Sequence, residues 1–219
     1  MIKKILIFTK ALVTIVLLLQ IISGKLSNAF ICLLTIFLLF IADLTQRKLK
    51  YPNTIQILIY LFIVSTEVLG EVYSLYVKIS YFDLIMHALS GYIIASLAIY
   101  IVKQYQAKMD KKLLLIFTIS LSMAVGALWE VAEFSIDNLC HKDMQKDTII
   151  TEITSSLFSK DGTTSITRKV ESMKVNNINY IKEYGGYIDI GLHDTMQDII
   201  MCFIGTIIYI FINKIAKLT

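Results

Sequence analysis

Apolar residues along this chain come in long runs, and polar residues gather between the runs. Six runs can be drawn, at about residues 5–22, 28–44, 54–77, 82–102, 112–138 and 192–213. Each is within or near the length of about 17–25 residues that an α-helix needs to cross a bilayer. Backbone groups in hydrocarbon must pair within their own segment, so runs of this kind predict helices. The expected architecture is all-α: a polytopic membrane protein, one domain over residues 1–219, with a bundle of about six transmembrane helices. The third and fifth runs are long for a bilayer and predict tilt or protrusion. Between the fifth and sixth lies a polar segment, 139–191, rich in Asn, Lys, Ser and Thr. Within it Ile166, Val170, Met173 and Ile181 fall at roughly helical spacing. An interfacial helix over 166–181 and a mobile loop are the two expectations there.

Composition narrows the class. The chain is 56% hydrophobic and 17% charged, against about 45–50% and about 25% for a soluble domain. The net charge of +4 reads as membrane orientation rather than nucleic-acid affinity, because the basic residues sit between the apolar runs. One side would receive Lys3, Lys4, Arg47, Lys48, Lys50, Lys103, Lys108, Lys111, Lys112, Lys214 and Lys217, and the other only Lys25 and Lys78 in short loops. Eleven against two predicts cytoplasmic termini and places 139–191 outside the cell. The start, Met1-Ile-Lys-Lys before an apolar run, superficially resembles a secretory signal. Lys10 interrupts that run and residues 23–28 offer no good cleavage site, so a retained first span is expected. Cys32, Cys140 and Cys202 show no metal-knuckle spacing and read as free thiols.

Acids and histidine inside the runs carry the candidate chemistry. Glu67/Glu71, Asp83/His87, Glu130/Glu133 and Asp194/Asp198 are spaced i,i+4 or i,i+3, so on a helix each pair shares a face. A charge at the centre of a lipid-facing helix costs about 2.5–3.5 kcal/mol even on the lenient insertion scale. With the expected orientation, all four pairs fall in the extracytoplasmic half. They should therefore face one another, water, or a bound cation, since packed carboxylates repel. Carboxylates with an imidazole suit zinc, manganese or iron, and carboxylates with water suit magnesium or calcium. Bland readings stand beside this. Asp83 and Asp194 open helices, where an acid complements the dipole. His87 could be a hydrogen-bonded core histidine, and Trp129 an interfacial anchor. No phosphate loop, Gly-x-Ser-x-Gly elbow or His-Glu-x-x-His motif occurs in the sequence.

Three segments carry a resemblance: Phe82-Asp83-Leu84-Ile85-Met86-His87-Ala88-Leu89-Ser90-Gly91, Trp129-Glu130-Val131-Ala132-Glu133, and Gly191-Leu192-His193-Asp194-Thr195-Met196-Gln197-Asp198. They look like those of the YjdF-like bacterial inner-membrane proteins. The Asp83-x-x-x-His87 start also resembles the VanZ-like proteins, some of which are associated with glycopeptide resistance. The resemblance covers spans three to six and implies a multi-pass plasma-membrane protein of a bacterium, with no activity attached.

The functional expectation is an extracytoplasmic-facing site that binds a divalent cation (zinc, manganese or magnesium) and acts on a lipid or lipid-linked envelope substrate. Glu67, Asp83 and His87 are the expected metal ligands. Glu130, Glu133, Asp194 and Asp198 are the expected acid/base groups, with Trp129 and Gln197 touching substrate. Intramembrane hydrolysis or group transfer is the reaction class. The alternatives are a proton- or cation-coupled carrier, with Asp43 the one acid near the cytoplasmic side, and an envelope tolerance or binding protein without turnover. The bilayer is the one certain partner. The sequence is silent on the oligomeric state.

Overall fold

A computed structural model describes residues 2–189 and 191–213. Lys214 and Lys217, used in the orientation argument, lie outside the described residues, as does the side chain of Lys3. Among the described residues, six helices are long and apolar enough to cross a membrane. They are α1 (Ile2–Ile22), α2 (Leu26–Leu49), α3 (Asn53–Ile63) with its continuation, α5 (Phe82–Gln104), α6 (Lys111–Cys140) and α8 (Leu192–Ile212). The protein is an all-α polytopic membrane protein. Large apolar side chains such as Phe8, Ile22, Phe30, Phe37, Phe203 and Phe211 stand exposed on these helices, as lipid-facing residues must.

The sole proline falls between helices. Pro52 precedes α3, so it interrupts no ladder, and α2 ends beside it at Lys50 in the left-handed region. The third span departs from expectation. After Ile63 the helix widens into a π-helical segment, Val64–Val72, and Tyr73 N–H bonds to the Val68 carbonyl five residues back. Ser74 then takes φ +58, and a four-residue helix, α4 (Leu75–Lys78), follows. The membrane span therefore ends at Val72 and not at residue 77. Helix α6 has 30 residues, or about 45 Å at 1.5 Å each, which exceeds a bilayer core of about 30 Å.

The chain divides into two compact units: Met1–Leu128 with Asp198–Thr219, and Trp129–Gln197. In the first, α1, α2 and the third span share a core of Val13, Val16, Leu17, Cys32, Leu39, Tyr60, Val68 and Val72. A second cluster joins α5 to α8 through Ala95, Ile99, Tyr209 and Ile210. These last two helices touch backbone to backbone. A Cβ on Gly91 of α5 would overlap the Cys202 carbonyl, and one on Gly205 of α8 would overlap the Ala88 carbonyl. Such close approach is how small residues let membrane helices pack. Ser122 of α6 completes the junction, donating to the Gly91 carbonyl at 3.3 Å and accepting from Thr206 Oγ1 at 2.6 Å.

The second unit is not helical where an interfacial helix was expected. Residues 166–181 form strands β3 (Ile166–Lys169), β4 (Lys174–Val175) and β5 (Ile178–Asn179) and begin the short helix α7 (Tyr180–Tyr184). β3 pairs antiparallel with β2 (Glu152–Ser155), β4 with β5, and β1 (Ile149–Ile150) with β6 (Tyr187–Ile188). Asn176 and Asn177, both at positive φ, close the β4–β5 hairpin. That is the backbone of a type I′ turn, for which Asn is suited.

Replacing Gly91 by Leu is expected to lower thermal stability in detergent by at least about 1–3 kcal/mol, the usual cost of overpacking. Scanning fluorimetry checks this, and an unchanged melting temperature would mean that α5 and α8 are not in backbone contact.

Candidate functional site

Asp83 lies in the first turn of α5 and His87 one turn further in, so both leave the same face. Asp198 lies one turn before Cys202 on α8. The Gly91–Cys202 and Gly205–Ala88 contacts thus hold the two helices at the level that brings His87 and Asp198 together. His87 Nε2 is 3.4 Å from Asp198 Oδ2 and 3.6 Å from Asp83 Oδ1. One ligand atom from each residue lies within 4.8 Å of the others. The side chains are 9%, 1% and 15% exposed for His87, Asp198 and Asp83.

Those separations are informative. Charge-assisted hydrogen bonds close to about 2.7–2.9 Å, shorter than either distance here. Two ligand atoms on one tetrahedral ion at about 2.0–2.1 Å would stand about 3.4 Å apart. The two His87 separations thus match what two atoms on one small cation would show, and Asp83 is the most exposed of the three side chains.

Glu67 is half-buried on the π segment and Glu71 exposed, and neither belongs to this group. Glu130 and Glu133 are buried, 4% and 7% exposed, in the second unit. Trp129 donates its indole N–H to Glu133 Oε1 at 2.7 Å, an i,i+4 bond that orients the carboxylate. Its polar handle is therefore used within the protein. Gln197 is exposed. Asp194 Oδ2 accepts the Lys146 backbone N–H at 2.9 Å, and Gln145 Nε2 donates to Thr195 Oγ1. Asp137 accepts the N–H groups of Met144 and Gln145 at 2.7 and 2.9 Å. Asp137 thus ties the segment after α6 to α6 itself, and Asp194 and Thr195 tie it to the start of α8, within the second unit.

Asp189 adds to that tether. Burial alone would raise its carboxyl, but the N–H groups of Thr148 and His193 and the His193 ring, at 2.6 Å, together hold it below the ordinary range. A depressed folded value means stabilisation that is full above the unfolded carboxyl value of about 3.9 and lost as pH falls through the folded one.

A second polar cluster lies in the first unit. Lys10 of α1 pairs with Asp43 Oδ2 of α2. Asp43 Oδ1 accepts from Tyr60 Oη at 2.6 Å and Gln56 Nε2 at 3.0 Å, both on α3. The Lys10 ammonium lies 5.7 Å from the centroid of the Tyr60 ring. From the sequence, Lys10 reads only as an interruption and Asp43 only as the cytoplasmic-side acid of a carrier path, with no link between them. The signal was present: opposite charges in neighbouring spans joined by a short turn.

The family model described as predicted membrane protein (DUF2238) matches residues 4–217, and the chain belongs to that family. No curated protein and no solved structure matches it.

Lys10→Met is expected to lower the melting temperature by stranding Asp43, and Lys10→Met/Asp43→Leu to recover most of the loss. A double variant no more stable than the single one would refute the pairing. For the second unit, proteolysis near Lys146–Ile149 should accelerate as pH falls below about 3.9, and Asp189→Asn should give that faster cleavage already at neutral pH. Cleavage of Asp189→Asn at the parental rate would show that the tether carries no stability.

Proposed function

We propose that this membrane protein binds a divalent cation, zinc or manganese by its donor set, through Asp83, His87 and Asp198. The observation that carries the reading is the spacing of the three ligand atoms, all within 4.8 Å of one another in a buried setting. Two carboxylates and one imidazole leave coordination positions open, as catalytic metal sites require. A cation held there would supply a Lewis acid for hydrolysis or group transfer. The substrate class that fits is a lipid or lipid-linked envelope molecule, since a site between apolar helices is reached most directly from the bilayer.

In this reading the protein resides in the plasma membrane of a bacterium, and the site opens on the extracytoplasmic side. Support for the orientation comes from the basic residues. Arg47, Lys48, Lys50, Lys103, Lys111 and Lys112 stand at the C-terminal ends of α2 and α5 and the N-terminal end of α6. Asp83 and Asp198 stand near the N-terminal ends of α5 and α8. The positive-inside rule puts the first set in the cytoplasm.

A carrier coupled to protons or cations is the second reading, and the Lys10–Asp43–Gln56–Tyr60 cluster favours it, because transport needs ionisable groups at both depths. Proton flux in proteoliposomes that stops in Asp43→Asn would support the carrier.

Purified protein is expected to retain about one equivalent of metal by elemental analysis. His87→Ala and Asp198→Asn should each weaken retention at least about tenfold. Folded wild-type protein with no metal after incubation with zinc and with manganese, or equal retention by both variants, would defeat the metal reading.

A further inference from the structure

A groove of about 400 Å³ runs between the C-terminal ends of α2 and α5, lined by Leu44, Thr45, Lys48, Leu49, Ile101 and Tyr105. That volume lies within the range of small-molecule sites, about 300–1,000 Å³. Both walls change character in the same direction. On α2, Leu44 lies one turn, about 6 Å, deeper than Lys48. On α5, Ile101 lies one turn deeper than Tyr105, the residue that ends the helix. The deep end thus carries Leu44 and Ile101, with Thr45 beside them, and the outer end carries Lys48 and Tyr105, with Leu49 closing α2. A cation and a phenol at the interface above two aliphatic side chains suit a lipid with its head at the interface.

Charge decides the kind of lipid. No acid lines the groove, and the acids nearby in sequence are committed elsewhere. Asp43, one turn before Arg47, is held by Lys10, Tyr60 and Gln56. Asp110 accepts the Leu113 N–H at the start of α6. Lys103 lies over the Tyr100 ring, which leaves Lys48 as the groove's own uncompensated cation. Arg47 and Lys50 flank it on the last turn of α2 and deepen the positive potential. Basic pockets between membrane helices bind anionic head groups on this principle.

We propose that this groove is a binding site for one anionic phospholipid, its acyl chain against Leu44 and Ile101 and its phosphate at Lys48. The site is separate from the Asp83–His87–Asp198 triad and stands whether or not that triad binds metal.

Native mass spectrometry of the full chain tests it, with delipidated protein titrated with phosphatidylglycerol and, separately, phosphatidylcholine of the same chains. One phosphatidylglycerol should bind about fivefold more tightly, the factor that one basic residue contributes near an anionic surface. Lys48→Gln should abolish the preference while leaving phosphatidylcholine binding unchanged. Leu44→Trp should fill the groove and weaken both lipids, which keeps the test open should Lys48→Gln not fold. Lys50→Gln, outside the lining, should retain the preference. Equal affinity for the two lipids overturns the proposal, as does a preference that survives in folded Lys48→Gln, or undiminished binding of both lipids by Leu44→Trp. Displacement of the lipid by inorganic phosphate alone also overturns it, since the apolar walls would then contribute nothing.

Discussion

The contact between α5 and α8 sets the geometry on which the candidate site depends. Gly91 lies against the Cys202 carbonyl and Gly205 against the Ala88 carbonyl. No residue with a side chain fits at either place without moving a helix. Ser122 and Thr206 then satisfy each other and the Gly91 carbonyl in the same buried layer. In hydrocarbon there is no hydrophobic drive to bring helices together, so close backbone packing and interhelical hydrogen bonds must do it. His87 and Asp198 each lie one turn from that junction, Gly91 and Cys202 being their i+4 neighbours. The geometry of the triad is inherited from two glycines.

The treatment of charge is consistent across the first unit. Asp43 meets a lysine, a phenol and an amide, which offsets the cost of holding a carboxylate among apolar helices. Asp83, His87 and Asp198 converge instead at separations longer than direct charged hydrogen bonds. The first arrangement is built from direct hydrogen bonds, while in the second His87 Nε2 stands 3.4 and 3.6 Å from the two carboxylates. That difference is why the triad is read as a place for a ligand and the Lys10–Asp43 pair as a clasp between α1, α2 and α3.

The spans were legible because membrane helices announce themselves by length and apolarity: every start falls within two residues of its expected bound, while α2 runs on to Leu49 rather than 44 and the third span stops at Val72 rather than 77. Residues 73–77 are apolar enough to continue a helix, but Ser74 turns the backbone into the left-handed region and ends it. The strands of the second unit went unread because the segment's apolar positions were fitted to a helical period. The Asn176-Asn177 pair between Val175 and Ile178 was a hairpin signal of the stronger kind. For the site, spacing identified Asp83 and His87 as a pair, and Asp198 joined them only through helix packing that no sequence period encodes. Asp194, an equally good candidate by spacing, turned out to hold the Lys146 N–H.

The most direct measurement is an anomalous difference map from crystals of the full chain grown with zinc, collected on both sides of the metal edge. The account predicts one peak at about 2.0–2.2 Å from His87 Nε2 and from one carboxylate oxygen each of Asp83 and Asp198. A map without a peak there, with the imidazole closed directly onto the two carboxylates, would contradict it.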